Sequence, residues 1–392
     1  MRNNFLRLAL SIGYVSLFIF FVALGSATPL TAEAAEVSTS SVSSTTPKVR
    51  ILIVPGHQPD LGGTVFGGVQ ERDVVVDIAD SLAARLSQDP RYDVMIARTR
   101  VAWNPILETY FDTHTVDITA FRQSQALLMA NNLASGSLKL ETNQVYHNTT
   151  SPQGALQLYG INKWANENAI DVTLHIHIND DANHRAKVAG IYSGFAVYVP
   201  DHQYANATTS KAIGESIAIR LNAYHATSTL PIEDAGIVED QNLIATGVNN
   251  SVNNAALLIE YGYIYEPQFQ IASVRPIAVA DYAYQTYLGL QDFFHNSTST
   301  MLRSIAFPYN WANVVAKKNM RGPGVYALQS ALHFLGYYPS AGKSFSDCPV
   351  SGLAGACTRS AIIAYQRAHK LTQTGVLGPK TRAALKKDLA SH

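Results

Sequence analysis

The sequence predicts an α/β protein: a mostly parallel twisted sheet flanked by helices, followed by a small three-helix unit. Three observations carry this. Short β-rich runs alternate with stretches of helical periodicity from Val49 to Phe294, the pattern of strands joined by helices that cover a sheet. Beyond Gly322 the β-rich runs stop and three helical stretches follow. The chain has 392 residues, 47% hydrophobic and 15% charged. That is enough apolar material for two or three domains, and it excludes a disordered or coiled-coil chain.

Val49-Arg50-Ile51-Leu52-Ile53-Val54 is a buried strand stopped by Pro55-Gly56. Apolar residues then recur at helical spacing from Asp73 to Leu86: Val75, Ile78, Ala79, Leu82 and Leu86. Tyr92 to Ala97 is a second strand, and Ile170 to Ile178 a third. Gly194 to Val199 and Ala255 to Tyr261 complete the sheet. Helices are expected from Val116 to Leu133, Gly154 to Asn168, Lys211 to Tyr224 and Ile277 to Phe294. The long polar segment 101–152 reads as an insertion with its own helix, either a gating element or a surface decoration.

The N-terminus has Arg2 and Arg7, an uncharged run from Leu8 to Ala27, and Ala32-Glu33-Ala34 as a cleavage site. This describes an export segment over residues 1–36, either a cleaved signal or a retained membrane anchor. A Ser/Thr-rich tether covers 37–48. Lys plus Arg and Asp plus Glu are 29 each, so no net field favours nucleic acid or an anionic membrane. Contact with a membrane is expected only through an N-terminal anchor.

Ligands gather outside the carboxyl ends of strands in such sheets, and polar residues stand at those ends. His57 follows the first strand, Glu71 opens the first helix, and His177 ends the third strand in His175-Ile176-His177-Ile178-Asn179. Two imidazoles and one carboxylate suit zinc with a position left for water. Glu260 follows the apolar run Leu257-Leu258-Ile259, where partial burial raises a carboxyl pKa towards working pH. Singly, each has a plainer role: a loop histidine, a helix-start carboxylate, a strand-end histidine, a carboxylate paired with arginine.

Together these segments resemble the zinc-dependent N-acetylmuramoyl-L-alanine amidases of the amidase-3 family. That family has a Pro-Gly-His turn (here Pro55-Gly56-His57), a Glu that starts a helix (Glu71), a His at an S-I-H-x-N strand end (His177) and a Glu in L-V-E-x-G-F (Glu260). The resemblance implies Zn2+ held by His57, Glu71 and His177, with Glu260 catalytic. Three departures stand out. Val54 and Gln58-Pro59 replace Asp and Gly-Gly around the turn, His175 replaces Ser, and the insertion 101–152 is longer than the family's connection. On a strand His175 and His177 share a face. His175 therefore either supports a ligand from behind or competes for the position, and His177 is preferred because it precedes Asn179. Asn179 is a second candidate support.

At the C-terminus Gly355-Ala356-Cys357-Thr358-Arg359-Ser360-Ala361 recurs as Gly378-Pro379-Lys380-Thr381-Arg382-Ala383-Ala384. Thr358 and Thr381 are expected to cap the helices that follow. Helices are expected from Val325 to Leu335, Thr358 to Lys370 and Thr381 to Leu389, around Leu328, Leu332, Ile362, Tyr365, Leu371, Val376 and Leu385. The unit is similar to the peptidoglycan-binding-1 domain, by Leu328-Gln329, Leu335-Gly336-Tyr337, Ala361 to Gln366, and Gly375, Gly378 and Thr381. Cys348 and Cys357 flank a short loop and are expected to pair in an exported protein, against two reduced thiols.

The expected organisation is export segment 1–36, tether 37–48, zinc amidase domain 49–296, linker 297–320 and peptidoglycan-binding domain 321–390. The resemblances imply an enzyme acting on peptidoglycan, and with the export segment the expectation is a monomer in the cell envelope or outside the cell. A zinc carboxypeptidase or endopeptidase on stem peptides, and a wall-binding scaffold with a degenerate metal site, are the alternatives.

Overall fold

A computed structural model describes residues 47–390, apart from 143, 146–149, 182–183, 186, 248–249, 296–313 and 315. The expected export segment, most of the tether and most of the 297–320 linker lie outside the described residues. Among the described residues no helix is long and apolar enough to cross a membrane.

Six strands make one sheet: β1 (Val49–Pro55), β4 (Tyr92–Ile96), β5 (Val172–Asn179), β6 (Ala196–Pro200), β7 (Ile237–Asp240) and β8 (Ala255–Tyr263), in the order β4-β1-β5-β8-β6-β7. A two-residue hairpin, β2 (Val65–Phe66) and β3 (Val69–Gln70), stands apart. The pairs β1–β4, β1–β5, β5–β8 and β6–β7 are parallel, whereas β6 runs antiparallel to β8. The sheet is therefore mixed. Its one reversal has a simple cause. Parallel neighbours need a crossover, but the chain leaves the carboxyl end of β5 through an irregular loop and re-enters at the same end as β6.

Each central strand alternates its side chains between two layers. Ile51, Ile53, Leu174, Ile176, Leu257 and Ile259 face α1 (Glu71–Leu86), α5 (Ala207–Asn222) and α7 (Arg275–His295). Leu52 and Val54 face α2 (Pro105–Thr113), α3 (Thr115–Ser135) and α4 (Pro152–Glu167). Helix α4 starts where Ser151 accepts from the Gly154 N–H at 3.0 Å, with Pro152 in the first turn, an arrangement that satisfies a free helix donor. By the same alternation β5 places Thr173, His175, His177 and Asn179 on this second face, so the polar positions of the strand all lie on one side.

The insertion is more than decoration. Leu107, Phe111 and Ile118 are buried against Ile161 and Trp164 of α4, and a Cβ on Gly160 would sit 2.9 Å from the Phe111 ring. Ile118 is nonetheless the one buried residue of α3. Helix α2, the short β2–β3 hairpin, β7 and α6 (Pro267–Gln270) are additions to the expected elements; the hairpin and α6 are too brief to leave a periodic signal.

The C-terminal helices are α8 (Pro323–Phe334), α9 (Ala356–Ala368) and α10 (Pro379–Ala390). Two expectations change. Leu371 and Val376 are only half-buried, and Leu377 fills the core instead. Thr358 and Thr381 are not caps, because the helices begin two residues earlier, at Ala356 and Pro379. Their hydroxyls instead accept from the Nε2 of Gln329 and Gln366, both at 3.0 Å. Cys348 and Cys357 form a disulfide with Cα atoms 5.7 Å apart. The helices also share a core with the sheet domain. Buried Tyr326 donates to Asp281 of α7 at 3.1 Å, and Gly352 lies so close to Val274 that a Cβ would come within 2.6 Å of it.

Candidate active site

The Pro55-Gly56 turn at the end of β1 presents His57. Gly56 is required there: a Cβ would lie 2.4 Å from Cε1 of the His177 ring. His57 itself has φ +66°, the left-handed region that a non-glycine residue adopts at a cost. After Gln58-Pro59 the loop folds back, with the Gln58 N–H donating to the Leu61 carbonyl at 3.1 Å. Gly62 and Gly63 then pack against the His57 ring, where added Cβ atoms would come within 3.2 Å of it. Glycines a few residues further on thus supply the close approach that Gln58-Pro59 cannot.

Glu71 is the first residue of α1 and only 4% exposed. The β2–β3 hairpin holds it from both ends, because Thr64 accepts from the Glu71 N–H at 2.9 Å and donates its own N–H to Oε2 at 2.9 Å. Oε1 accepts from the Ile178 N–H at 3.1 Å, and lies 2.9 Å from His57 Nε2 and 3.2 Å from His177 Nδ1. The two imidazoles meet edge to face with centroids 5.0 Å apart. Burial pushes the Glu71 carboxyl up, but its interactions with His57 and His177 outweigh that and hold it well below the ordinary carboxylate range. Burial pushes the His177 imidazole down.

One ligating atom from each of His57, Glu71 and His177 lies within 4.8 Å of the others. His57 Nε2 is buried and its near neighbour is the Glu71 carboxylate at 2.9 Å, with no formal hydrogen bond between them. A buried ring nitrogen facing a buried carboxylate suits a cation bound between them, and metal ligation requires the imidazole neutral and the carboxylate ionised. The donor set fits zinc.

Glu260 stands on β8 opposite His177 in the β5–β8 register. Its Oε2 is buried and unpartnered. Burial first, then the charges of Glu71, Glu233 and Asp180, push its carboxyl well above the ordinary range. Asn179 hydrogen-bonds to a carboxylate: its Nδ2 donates to Glu233 at 3.1 and 3.3 Å. His175 is fully buried, and neither ring nitrogen has a hydrogen-bond partner. Burial, reinforced by His177, pushes its imidazole down to about 3. The structure therefore brings His57, Glu71 and His177 together with Glu260 beside them, and leaves His175 and Asn179 outside that contact.

Sequence reasoning missed three contributors. Glu233 is 1% exposed and collects Asn179, the Tyr198 hydroxyl and the Tyr263 hydroxyl at 3.1 Å. Thr64 ties Glu71 to Asp180, to which its hydroxyl donates at 2.7 Å. Arg98 lies under the His57 turn. None belongs to a local motif. The one available signal was a charged residue ending the buried strand Tyr92–Ala97.

Residues 121–291 match the sequence family described as N-acetylmuramoyl-L-alanine amidase, and residues 321–385 match the peptidoglycan binding domain. The chain thus joins an N-acetylmuramoyl-L-alanine amidase segment to a peptidoglycan binding domain. It is a peptidoglycan amidase. The matched segment contains His177 and Glu260; His57 and Glu71 precede it and join the set by geometry. No curated protein sequence matches the chain. Among solved structures it is similar to an N-acetylmuramoyl-L-alanine amidase of Clostridium difficile 630, at 19% identity over 64% of this chain and 100% of that one, with a TM-score of 0.39. It is also similar to Ami1 of Mycobacterium smegmatis (15% identity, 63% and 97% covered, TM-score 0.40) and Ami1 of Mycobacterium abscessus (14%, 63% and 99%, TM-score 0.41).

Proposed function

We propose that the chain cleaves the amide bond between the lactyl group of N-acetylmuramic acid and L-Ala of the peptidoglycan stem peptide, using zinc held by His57, Glu71 and His177. The observation that carries this reading is the convergence of those three donors on one point, beside the bare Oε2 of Glu260. A zinc ion held there supplies Lewis acidity for a water and for the amide carbonyl, lowering the pKa of the water to about 7.

The chain's own residues do the rest. Glu71, pinned by the N–H groups of Thr64 and Ile178, offers a fixed anion. Glu260 accepts the proton of the attacking water at Oε2. As the carbonyl–nitrogen bond breaks, it returns that proton to the departing amine. The products are a lactyl carboxylate and a free α-amino group on L-Ala. The raised proton affinity of Glu260 suits both transfers, since a base matched to working pH is the more effective.

In this reading residues 49–296 are the catalytic domain and 321–390 the wall-binding domain. The latter raises local substrate concentration without adding chemistry. The protein works as an exported monomer, delivered by residues 1–36 as signal or anchor. The test is Glu260→Gln. Zinc content should equal that of the parent, while release of muramic lactyl carboxyl falls by about 10³-fold. Full activity would overturn the assignment. Release of stem-peptide amino acids with no new lactyl carboxyl would point to a peptidase, and wall binding without zinc to a scaffold.

A further inference from the structure

Arg98 follows β4 and is 1% exposed, the largest of the fully buried side chains. A buried guanidinium normally meets a carboxylate. This one meets backbone carbonyls instead. Nε donates to the Pro55 carbonyl at 3.1 Å, Nη1 to Thr99 at 3.0 Å, and Nη2 to Gly56 and to Arg72 at 3.0 Å. Pro55 and Gly56 immediately precede His57, and Arg72 immediately follows Glu71. One side chain therefore grips the backbone on which two ligands stand, although the two are on different elements. His57 needs such a grip because its left-handed backbone must be held by its surroundings. The planar fork reaches carbonyls in several directions at once, which an ammonium cannot do.

We infer that Arg98 is a positioning residue for the metal centre: it locks the His57 turn to the start of α1 so that the two ligands keep their spacing. This rests on the zinc reading of His57, Glu71 and His177, and extends it to a residue with no ligand atom. A loop staple that merely stabilises the fold is the competing explanation. It differs in what it predicts for folded protein.

The experiment measures zinc affinity by competition with a chromophoric chelator, on parent, His177→Ala, Arg98→Lys and Arg98→Ala. Folding is checked by far-ultraviolet circular dichroism and by wall binding. Arg98→Lys, folded, should bind zinc about 10–100-fold more weakly than the parent, the range for residues that orient ligands. Guanidinium ion added to Arg98→Ala should restore much of the lost affinity, whereas the same concentration of sodium should not. Arg98→Lys within twofold of the parent, or a folded Arg98→Ala that guanidinium fails to rescue, overturns the inference. If Arg98→Ala does not fold, the lysine variant alone decides. His177→Ala separates the two readings: unchanged zinc affinity in that variant sinks the metal assignment itself, whatever Arg98 does.

Discussion

The C-terminal helices bury two glutamines with their amides satisfied, whereas the catalytic domain leaves several buried acids and bases bare. Gln329 and Gln366 are each 1% exposed, and each amide has its partners. Gln329 Oε1 accepts from the Ser351 and Gly352 N–H groups at 3.0 and 2.9 Å, and its Nε2 donates to Leu353 and Thr358. Gln366 Oε1 accepts from Gly375 at 2.9 Å, and its Nε2 reaches Thr374, Val376 and Thr381. In the catalytic domain His57 Nε2, Glu260 Oε2 and both nitrogens of His175 are buried without a hydrogen bond. A satisfied buried amide staples a loop to a helix. An unsatisfied buried acid or base is costly to the fold; for His57 and Glu260 the proposed reaction gives a reason to keep it.

Glu260→Gln tests this contrast most severely, because the same change that removes hydrolysis should stabilise the protein. The folded pKa of Glu260 lies above its value of 4.5 in the unfolded chain. Its favourable contribution is therefore full below pH 4.5 and lost as pH rises through the folded value. The variant escapes that loss. Urea melts of metal-free protein should show the gain at about pH 8 and none at about pH 4, and equal stability at both would contradict the burial argument.

Gln366→Leu is the matching experiment in the other region. It strips partners from Gly375, Thr374, Val376 and Thr381 together, and should destabilise the C-terminal helices by about 3 kcal/mol or more. Turnover of a soluble muropeptide should stay at the parent's rate; a large fall there would tie the helices to the chemistry. Replacing Cys348 and Cys357 by serine opens a loop of sequence separation 9 and should cost about 2–3 kcal/mol by the chain-entropy account, read as a drop in the same melt.

His175→Leu gives the smallest effect near neutral pH. The folded pKa of His175 is about 3, against 6.5 unfolded. Its contribution is thus present above pH 6.5 and lost at about 1 kcal/mol per pH unit as the solution is acidified towards 3. The leucine variant should lack that acid sensitivity and bind zinc as the parent does. Lost zinc would mean that His175, not His177, is the ligand.

Much of the fold was legible because its signals are local. β1, β5 and β8 announce themselves as apolar runs, α1 and α7 by periodicity, and the Pro55-Gly56-His57 and Glu260 segments by motif. The misses are equally physical. Thr358 and Thr381 look like caps in the chain. Once the helices start two residues earlier, their hydroxyls serve Gln329 and Gln366 instead. The antiparallel β6 depends on where a loop returns, which strand composition does not encode. Glu233 carries no motif at all, since its partners come from β5, β6 and β8.

By itself the sequence determined the main strands and helices, the division of labour between sheet and helices, and the residue types able to hold a metal and move a proton. Hydrophobic periodicity and short motifs depend only on neighbours in the chain. The tertiary structure decided the rest: that Gly56 must lack a side chain because the His177 ring occupies its space, that Glu71 meets both imidazoles, and that Arg98 joins the His57 turn to the start of α1. Those are contacts between residues far apart in sequence, and close packing alone brings them within reach.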